Sequence, residues 1–322
     1  MNLQFADFDA DGDDDIVTAT FEGHAFVVRR SADGWSAPEH ILDARGRRIA
    51  LSLYFDMEAN KYDNVDRSPP GKTNPQDHMV STMVMDWDAD GDLDLLLGAK
   101  EGRLYLQRNE GTAKEPKFTG VNELLQAGGE DFNVPGGLTA ARIVDWDGDG
   151  LDDLLCGSFT EGGAYFYRNT GAKDAPSFAA PEVLLAAPEA SNDGSAGPMS
   201  DWYFDVVDHD GDGHLDLVVG GHFQQLPEPR VLTDEETARL AKLDAELAEV
   251  EAEMQAFFEK ASKEVSKLPE EEQDAAYDRF FESEEYEKLF ERMQELRGEV
   301  VELRPFPKRV SGVWLYRGLP RG

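Results

Sequence analysis

Cysteine is almost absent from the 322 residues: the one thiol, Cys156, stands in the apolar run Leu154-Leu155-Cys156. A single thiol excludes an intramolecular disulfide framework and a cysteine-rich zinc site, and its neighbours mark it as a small buried hydrophobe. Histidine is scarce and scattered. The six residues His24, His40, His78, His209, His214 and His222 form no ligand pair at metal spacing and no nucleophile motif. No apolar run reaches the ~18 residues of a membrane-spanning helix, and Met1 is followed by Asp7 and Asp9, not by the apolar core of a signal peptide. Positive charge is short as well. With 31 Lys and Arg against 66 Asp and Glu, the formal charge is −35, which argues against a nucleic-acid partner.

What the chain has in excess is aspartate, in a repeated pattern. Asp7-Phe8-Asp9-Ala10-Asp11-Gly12-Asp13-Asp14-Asp15 recurs as Asp86-Trp87-Asp88-Ala89-Asp90-Gly91-Asp92-Leu93-Asp94. It recurs again as Asp145-Trp146-Asp147-Gly148-Asp149-Gly150-Leu151-Asp152-Asp153 and as Asp208-His209-Asp210-Gly211-Asp212-Gly213-His214-Leu215-Asp216. The first aspartates lie 79, 59 and 63 residues apart, the length of a four-stranded unit rather than of a helical repeat.

The flanks repeat too. A strand-like run precedes each motif (Gln4 to Ala6, Val80 to Met85, Ala141 to Val144, Trp202 to Val207), and an apolar run follows it. A third strand begins after Gly23, Gly102 and Gly163 and ends at Arg29, Arg108 and Arg168; a fourth is predicted from Trp35 to Leu42, Phe118 to Leu125 and Phe178 to Leu185. Four antiparallel strands per unit, repeated, predict an all-β protein, a β-propeller with four recognisable blades.

Aspartates at alternate positions of a tight turn converge and repel one another unless a cation sits among them, and an oxygen-only ligand set selects a hard ion, calcium ahead of magnesium. Positions 1, 3, 5 and 9 of each loop are therefore read as side-chain ligands. Position 7, free to vary as Asp13, Asp92, Leu151 and His214, is read as a backbone-carbonyl ligand, and glycine at position 6 permits the bend. About four calcium sites follow. An EF-hand is excluded because position 12 is Thr18, Leu97, Cys156 or Val219 where a bidentate glutamate is needed.

With these loops and strands, the chain resembles the FG-GAP or VCBS repeats of integrin alpha-subunit propellers and of many bacterial extracellular proteins, over most of residues 1–231. The strands Tyr165-Phe166-Tyr167-Arg168-Asn169 and Trp314-Leu315-Tyr316-Arg317 look like those of secreted VCBS-repeat proteins. The resemblance implies a calcium-binding propeller fold, an extracellular or periplasmic location, and calcium carboxylates at Asp7, Asp9, Asp11 and Asp15 and at Asp86, Asp88, Asp90 and Asp94. It implies the same for Asp145, Asp147, Asp149 and Asp153, and for Asp208, Asp210, Asp212 and Asp216.

In the fourth unit the third strand, Gly312 to Arg317, begins 104 residues after Asp208, so a long segment is inserted. Thr233-Asp234-Glu235-Glu236 is a capping box, and Leu240, Leu243, Leu247, Val250, Met254 and Phe257 step by threes and fours behind it, as in a coiled coil. A second helix is predicted from Pro269 to Leu303, with a stutter near Ser283. The domain reading is thus blades over 1–231, an antiparallel helical hairpin over 232–304, and a returning strand over 305–322. The clustered Phe257, Phe258, Phe280, Phe281 and Phe290 suggest self-association through the hairpin.

The strand tally of four, four, four and three closes no ring by itself, and a further blade upstream is the expectation for closure. For function, a module binding a protein or a glycan is favoured over an enzyme such as a polysaccharide lyase, because no convergent acid, base and charge-neutralising set can be named. The polar segment from Met57 to His78, with Tyr62, Asp63, Asp66, Arg67, Pro69, Pro70 and Lys72, is a candidate binding loop.

Overall fold

The computed structural model describes residues 3–318 apart from 21, 58–60, 65–73, 75, 190–195 and 229. The chain divides into two compact units, one formed by residues 1–224 with 309–322 and the other by residues 225–308.

The first unit is built from four main sheets. The first contains Leu3–Ala6, Asp15–Ala19, Ala25–Val28 and Glu39–His40; the second contains Met79–Met85, Asp94–Ala99, Leu104–Gln107 and Glu123–Leu124. The third contains Leu138–Val144, Asp153–Ser158, Ala164–Tyr167 and Glu182–Leu185, and the fourth contains Ser200–Val207, Asp216–Gln225 and Lys308–Tyr316. Within each sheet the strands lie in chain order. Each Asp-rich segment is the turn between the first and second strands, because apolar β-formers flank residues that favour turns.

Strand alternation sends successive side chains to opposite faces, and three apolar cores result. In the second sheet Leu95 and Leu97 enter a core shared with the first sheet, while Leu96 enters a core shared with the third. The third sheet repeats this: Leu154 and Cys156 point back to the second, and Leu155 joins Leu217 and Val219 of the fourth. The first strands of all four sheets line one cavity of about 260 Å³, bounded by Leu3, Phe5, Met83, Ile143 and Asp205. Arg142 Nε donates to Asp205 across it at 2.9 Å.

The fourth strands are shorter than their sequences predict. In the second and third sheets the reason lies in Phe118 and Phe178, which leave the strand to plug the space between sheets, while in the first sheet Trp35 pairs with Arg30 in a separate two-residue ladder. Phe118 stacks on Phe8 of the preceding loop and Phe178 lies beside Trp87, each with ring centroids 6.2 Å apart. The aromatic at position 2 of one loop is thereby matched to the Pro-x-Phe segment of the next sheet.

The second unit is helical: α1 (Asp234–Val265), α2 (Glu270–Phe281) and α3 (Glu284–Leu303). The capping box forms, with Thr233 Oγ1 accepting from Glu236 N and Glu236 Oε2 accepting from Thr233 N. Where one long second helix was predicted, there are two. Ser283 adopts an extended N-cap conformation and its Oγ accepts the Tyr286 N–H at 3.3 Å, starting a new helix. α1 and α3 run antiparallel, with Leu243, Val250, Leu296, Val300 and Leu303 between them. Arg239–Glu299, Asp244–Arg304 and Glu251–Arg297 pair along their edges.

Candidate metal centres

All four Asp-rich turns are held by one scheme of bonds. The position-1 carboxylate accepts backbone N–H groups of the turn it opens: Asp7 from Asp11 at 3.0 Å and Gly12 at 3.1 Å, Asp86 from Asp90 at 3.0 Å and Gly91 at 3.1 Å. Asp145 and Asp208 do the same with Gly150 and Gly213, at 3.1 and 3.0 Å. The position-5 carboxylates of Asp11, Asp90, Asp149 and Asp212 each accept the N–H of position 7, at 2.8 to 3.0 Å. These Asx-type bonds compete with regular structure and keep the turn tight.

Two positions per turn adopt left-handed backbone. At position 6 the glycines Gly12, Gly91, Gly150 and Gly213 have φ between 85° and 99°, and an added Cβ would meet nothing within 4 Å, so conformation and not space demands glycine. Position 4 is left-handed too: φ is 54° at Ala10 and 58° at Ala89, with glycine in the other two turns.

Position 9 does something the sequence reading did not assign to it. Asp15, Asp94, Asp153 and Asp216 are buried, and each uses both oxygens on backbone N–H groups. One oxygen accepts from position 2, Trp87 and Trp146 at 3.0 Å and His209 at 3.1 Å, with Phe8 longer at 3.3 Å. The other accepts from the residue that follows the third strand's last arginine: Arg30, Asn109 and Asn169 at 2.7 Å, and Gly318 at 2.9 Å. This aspartate staples the turn to the third strand. Burial pushes the carboxyls of Asp15, Asp94 and Asp153 above the ordinary range, against the pull of these N–H donors.

Position 3 is the metal-side counterpart. In every sheet its carboxylate pairs with the arginine that ends the third strand: Arg29 with Asp9, Arg108 with Asp88 at 3.6 Å, Arg168 with Asp147, and Arg317 with Asp210 at 3.5 Å. The arginines were legible as a repeated strand ending, but their partner becomes visible only when strand and turn meet.

Among the described residues, four groups bring three carboxylate oxygens within 4.8 Å of one another: Asp7, Asp9 and Asp11; Asp86, Asp88 and Asp90; Asp145, Asp147 and Asp153; Asp208, Asp210 and Asp216. Positions 1 and 3 therefore converge in every loop. Position 5 joins them in the first two loops and position 9 in the last two; Asp15, Asp94, Asp149 and Asp212 stand outside their clusters. The donor set is all oxygen, as a hard cation requires, and Asp9 Oδ1 is buried with no hydrogen-bond partner, which a cation would satisfy. Asp92 is pushed up to about 6, by burial first and then by Asp90, Asp94, Asp88 and Asp86. A cation would reverse that shift.

Elsewhere the fold gathers side chains that look scattered in the chain. The rings of His24 and His40 lie 5.4 Å apart, and His78 lies beside Gly23. Burial, and then Arg48, holds His40 below the ordinary histidine range. In the Met57 to His78 segment, Tyr62 and Asp63 lie on a short strand, Lys61–Asn64, paired with Leu53–Asp56; Asp66, Arg67, Pro69, Pro70 and Lys72 lie outside the described residues.

Residues 86–156 and 145–219 each match the FG-GAP-like repeat, and the two matches span the second, third and fourth Asp turns. The chain carries FG-GAP-like repeats. A search of the curated proteins found no match.

Proposed function

We propose that the protein is a calcium-loaded β-propeller acting outside the cytoplasm as a module that binds a protein or glycan ligand, the calcium being structural. The observation that carries this reading is the fourfold repetition of one bonding scheme, which sets carboxylates within 4.8 Å of each other at the same turn of every sheet. FG-GAP-like repeats over residues 86–219 support both the propeller and its interaction role. The side-chain ligands are position 1 and position 3 in each loop, namely Asp7 and Asp9, Asp86 and Asp88, Asp145 and Asp147, Asp208 and Asp210. Positions 5 and 9 complete them, and the carbonyls of Asp13, Asp92, Leu151 and His214 add the backbone ligand. Calcium at millimolar extracellular concentration suits loops of this kind. Bound only by the folded state, it stabilises by mass action. Thermal unfolding in 2 mM calcium, 2 mM magnesium and EGTA tests the assignment. A midpoint raised by calcium well beyond the magnesium value is expected, and equal midpoints in all three would refute it.

A role for the helical unit in self-association has its own support. Phe258, Phe281 and Phe290 are each more than 40% exposed, and they join Tyr286 in one run of ring contacts, with centroids 5.3 to 6.3 Å apart. Contiguous exposed aromatics mark contact surfaces. Light scattering should show a dimer that the triple substitution Phe258→Ser, Phe281→Ser, Phe290→Ser converts to monomer; a wild-type monomer at high concentration would end this role.

A further inference from the structure

A second polar cluster lies at the end of the third and fourth sheets away from the Asp turns. There Asp201, near the start of the strand Ser200–Val207, adopts φ 58°, a region that strains a residue with a side chain and is retained where surrounding structure enforces it. Its N–H donates to the Phe159 carbonyl at 2.8 Å, so the strained residue is clamped to the neighbouring sheet. The residue is 6% exposed, yet it borders a cavity of about 390 Å³, within the range of small-molecule sites.

The carboxylate is half used. Oδ2 accepts from Ser200 Oγ at 2.8 Å and from Arg309 Nη2 at 2.5 Å, and it lies 3.3 Å from His222 Nδ1. Oδ1 takes no hydrogen bond among the described residues. Asp77, buried just before the first strand of the second sheet, shows the contrast: Arg103 bonds both of its oxygens and the Tyr105 hydroxyl adds another bond. Asp77 is a closed structural pair, whereas Asp201 presents a free acceptor oriented by Ser200 and Arg309, and Arg309 Nη2 also lies 3.2 Å from His222 Nδ1, which leaves Nε2 as the histidine's donor. Beside it Arg309 and His222 offer N–H donors, and Phe159 and Phe223 supply aromatic surface.

An oriented acceptor, adjacent donors and aromatic carbon lining one cavity match the chemistry of a sugar, whose hydroxyls both donate and accept and whose C–H face packs on aromatic carbon. Charge decides which sugar. The formal charge of −35 repels a polyanion, and Arg309 is already neutralised by Asp201, so an acidic saccharide gains little here. We propose that this cavity binds a unit of a neutral saccharide, Asp201 Oδ1 accepting a hydroxyl, Arg309 and His222 donating to its neighbours, and Phe159 and Phe223 covering its apolar face. The inference rests on the binding-module reading above and gives that module its ligand class and its site.

The test uses the full chain in calcium: a printed array of neutral and acidic glycans, then calorimetry with maltohexaose, cellohexaose, mannohexaose and hexagalacturonate. At least one neutral glycan should bind, and Asp201→Asn should weaken it tenfold or more. Asparagine tolerates left-handed backbone, and Arg309→Lys, which keeps the charge but loses the planar fork, should weaken it as well. Thermal midpoints in calcium and EGTA accompany each variant, so that lost folding is told apart from lost binding. No binding by any neutral glycan, binding by hexagalacturonate alone, or unchanged affinity in both folded variants would overturn the proposal. A calcium-dependent midpoint alongside any of these results leaves the calcium assignment standing; a midpoint indifferent to calcium with Asp201-dependent binding does the reverse.

Discussion

The second and third sheets differ from the first and fourth in a way their sequences hide. After each Asp turn comes an apolar strand, and in the interior sheets, over Asp94–Ala99 and Asp153–Ser158, every residue of it is buried. In the first sheet the matching strand, Asp15–Ala19, alternates buried and half-buried. Val17 is packed, but Ile16 and Thr18 are half exposed, and Leu3 and Phe5 on the adjoining strand are 49% and 57% exposed. The fourth sheet mirrors this: Leu217 and Val219 are buried and Val218 is half-buried. The two incomplete faces are opposite halves of one repeating interface, since the first sheet leaves open the residues one and three beyond its staple and the fourth leaves open the residue two beyond. A repeat specifies which way each side chain points, and a neighbouring sheet decides whether that direction is core.

Substitutions at matched positions test this contrast. Leu96→Ala, deep between the second and third sheets, should cost about 3 kcal/mol in urea unfolding through lost burial and the cavity left behind. Val17→Ala and Val218→Ala occupy the same repeat position, and the first should cost ~1 kcal/mol or more while the second stays near zero. Equal costs would break the comparison.

At the staple the contrast should vanish. Asp153 and Asp216 are both buried, at 0% and 1% exposure, with the same pair of N–H donors. Asp153→Asn should cost about 2 kcal/mol, because an amide leaves one buried N–H without an acceptor, and Asp216→Asn should destabilise the fold for the same reason. A much smaller cost for Asp216→Asn would extend the interior–terminal difference to the turns.

A pH dependence sharpens the picture in the interior loop. The Asp92 carboxyl titrates near 6 in the folded chain and near ~3.9 unfolded, so as pH rises from about 4 to 6 the unfolded chain releases its proton first. Stability in EGTA should therefore fall across that window, more for the wild type than for Asp92→Asn. Unfolding midpoints at pH 4, 5 and 6 read the difference, and parallel profiles would remove Asp92 from the account. The smallest effect is expected at position 4: Ala89→Gly should gain up to ~1 kcal/mol by relieving left-handed strain, and Ala10→Gly the same.

Much of this was legible beforehand because it is local. The turns, the strands around them and the tally of four, four, four and three strands follow from period-two alternation between Asp-Gly turns, and the main sheets contain those numbers of strands. The Pro-x-Phe segments misled because an aromatic after a turn reads as strand, while Phe118 and Phe178 are inter-sheet plugs. Ser283 misled in the other direction, since an apolar stripe continues across it and only its cap geometry breaks the helix. The Arg–Asp pairs, the position-9 bond to the residue after the third strand and the Asp201–Arg309 pair join residues from 15 to more than 100 positions apart in the chain, beyond the reach of a local pattern.

By itself, the sequence determined the repeated turn, its carboxylate chemistry and the strand order, because aspartate, glycine and alternating apolar residues act over a few neighbours. Tertiary structure alone decided which carboxylates converge and which staple the backbone, which sheet faces are core, and that a strained aspartate meets an arginine from the far end of the chain. Those outcomes depend on which strands lie side by side, and the energy of a buried charge or an apolar face is set by what stands against it.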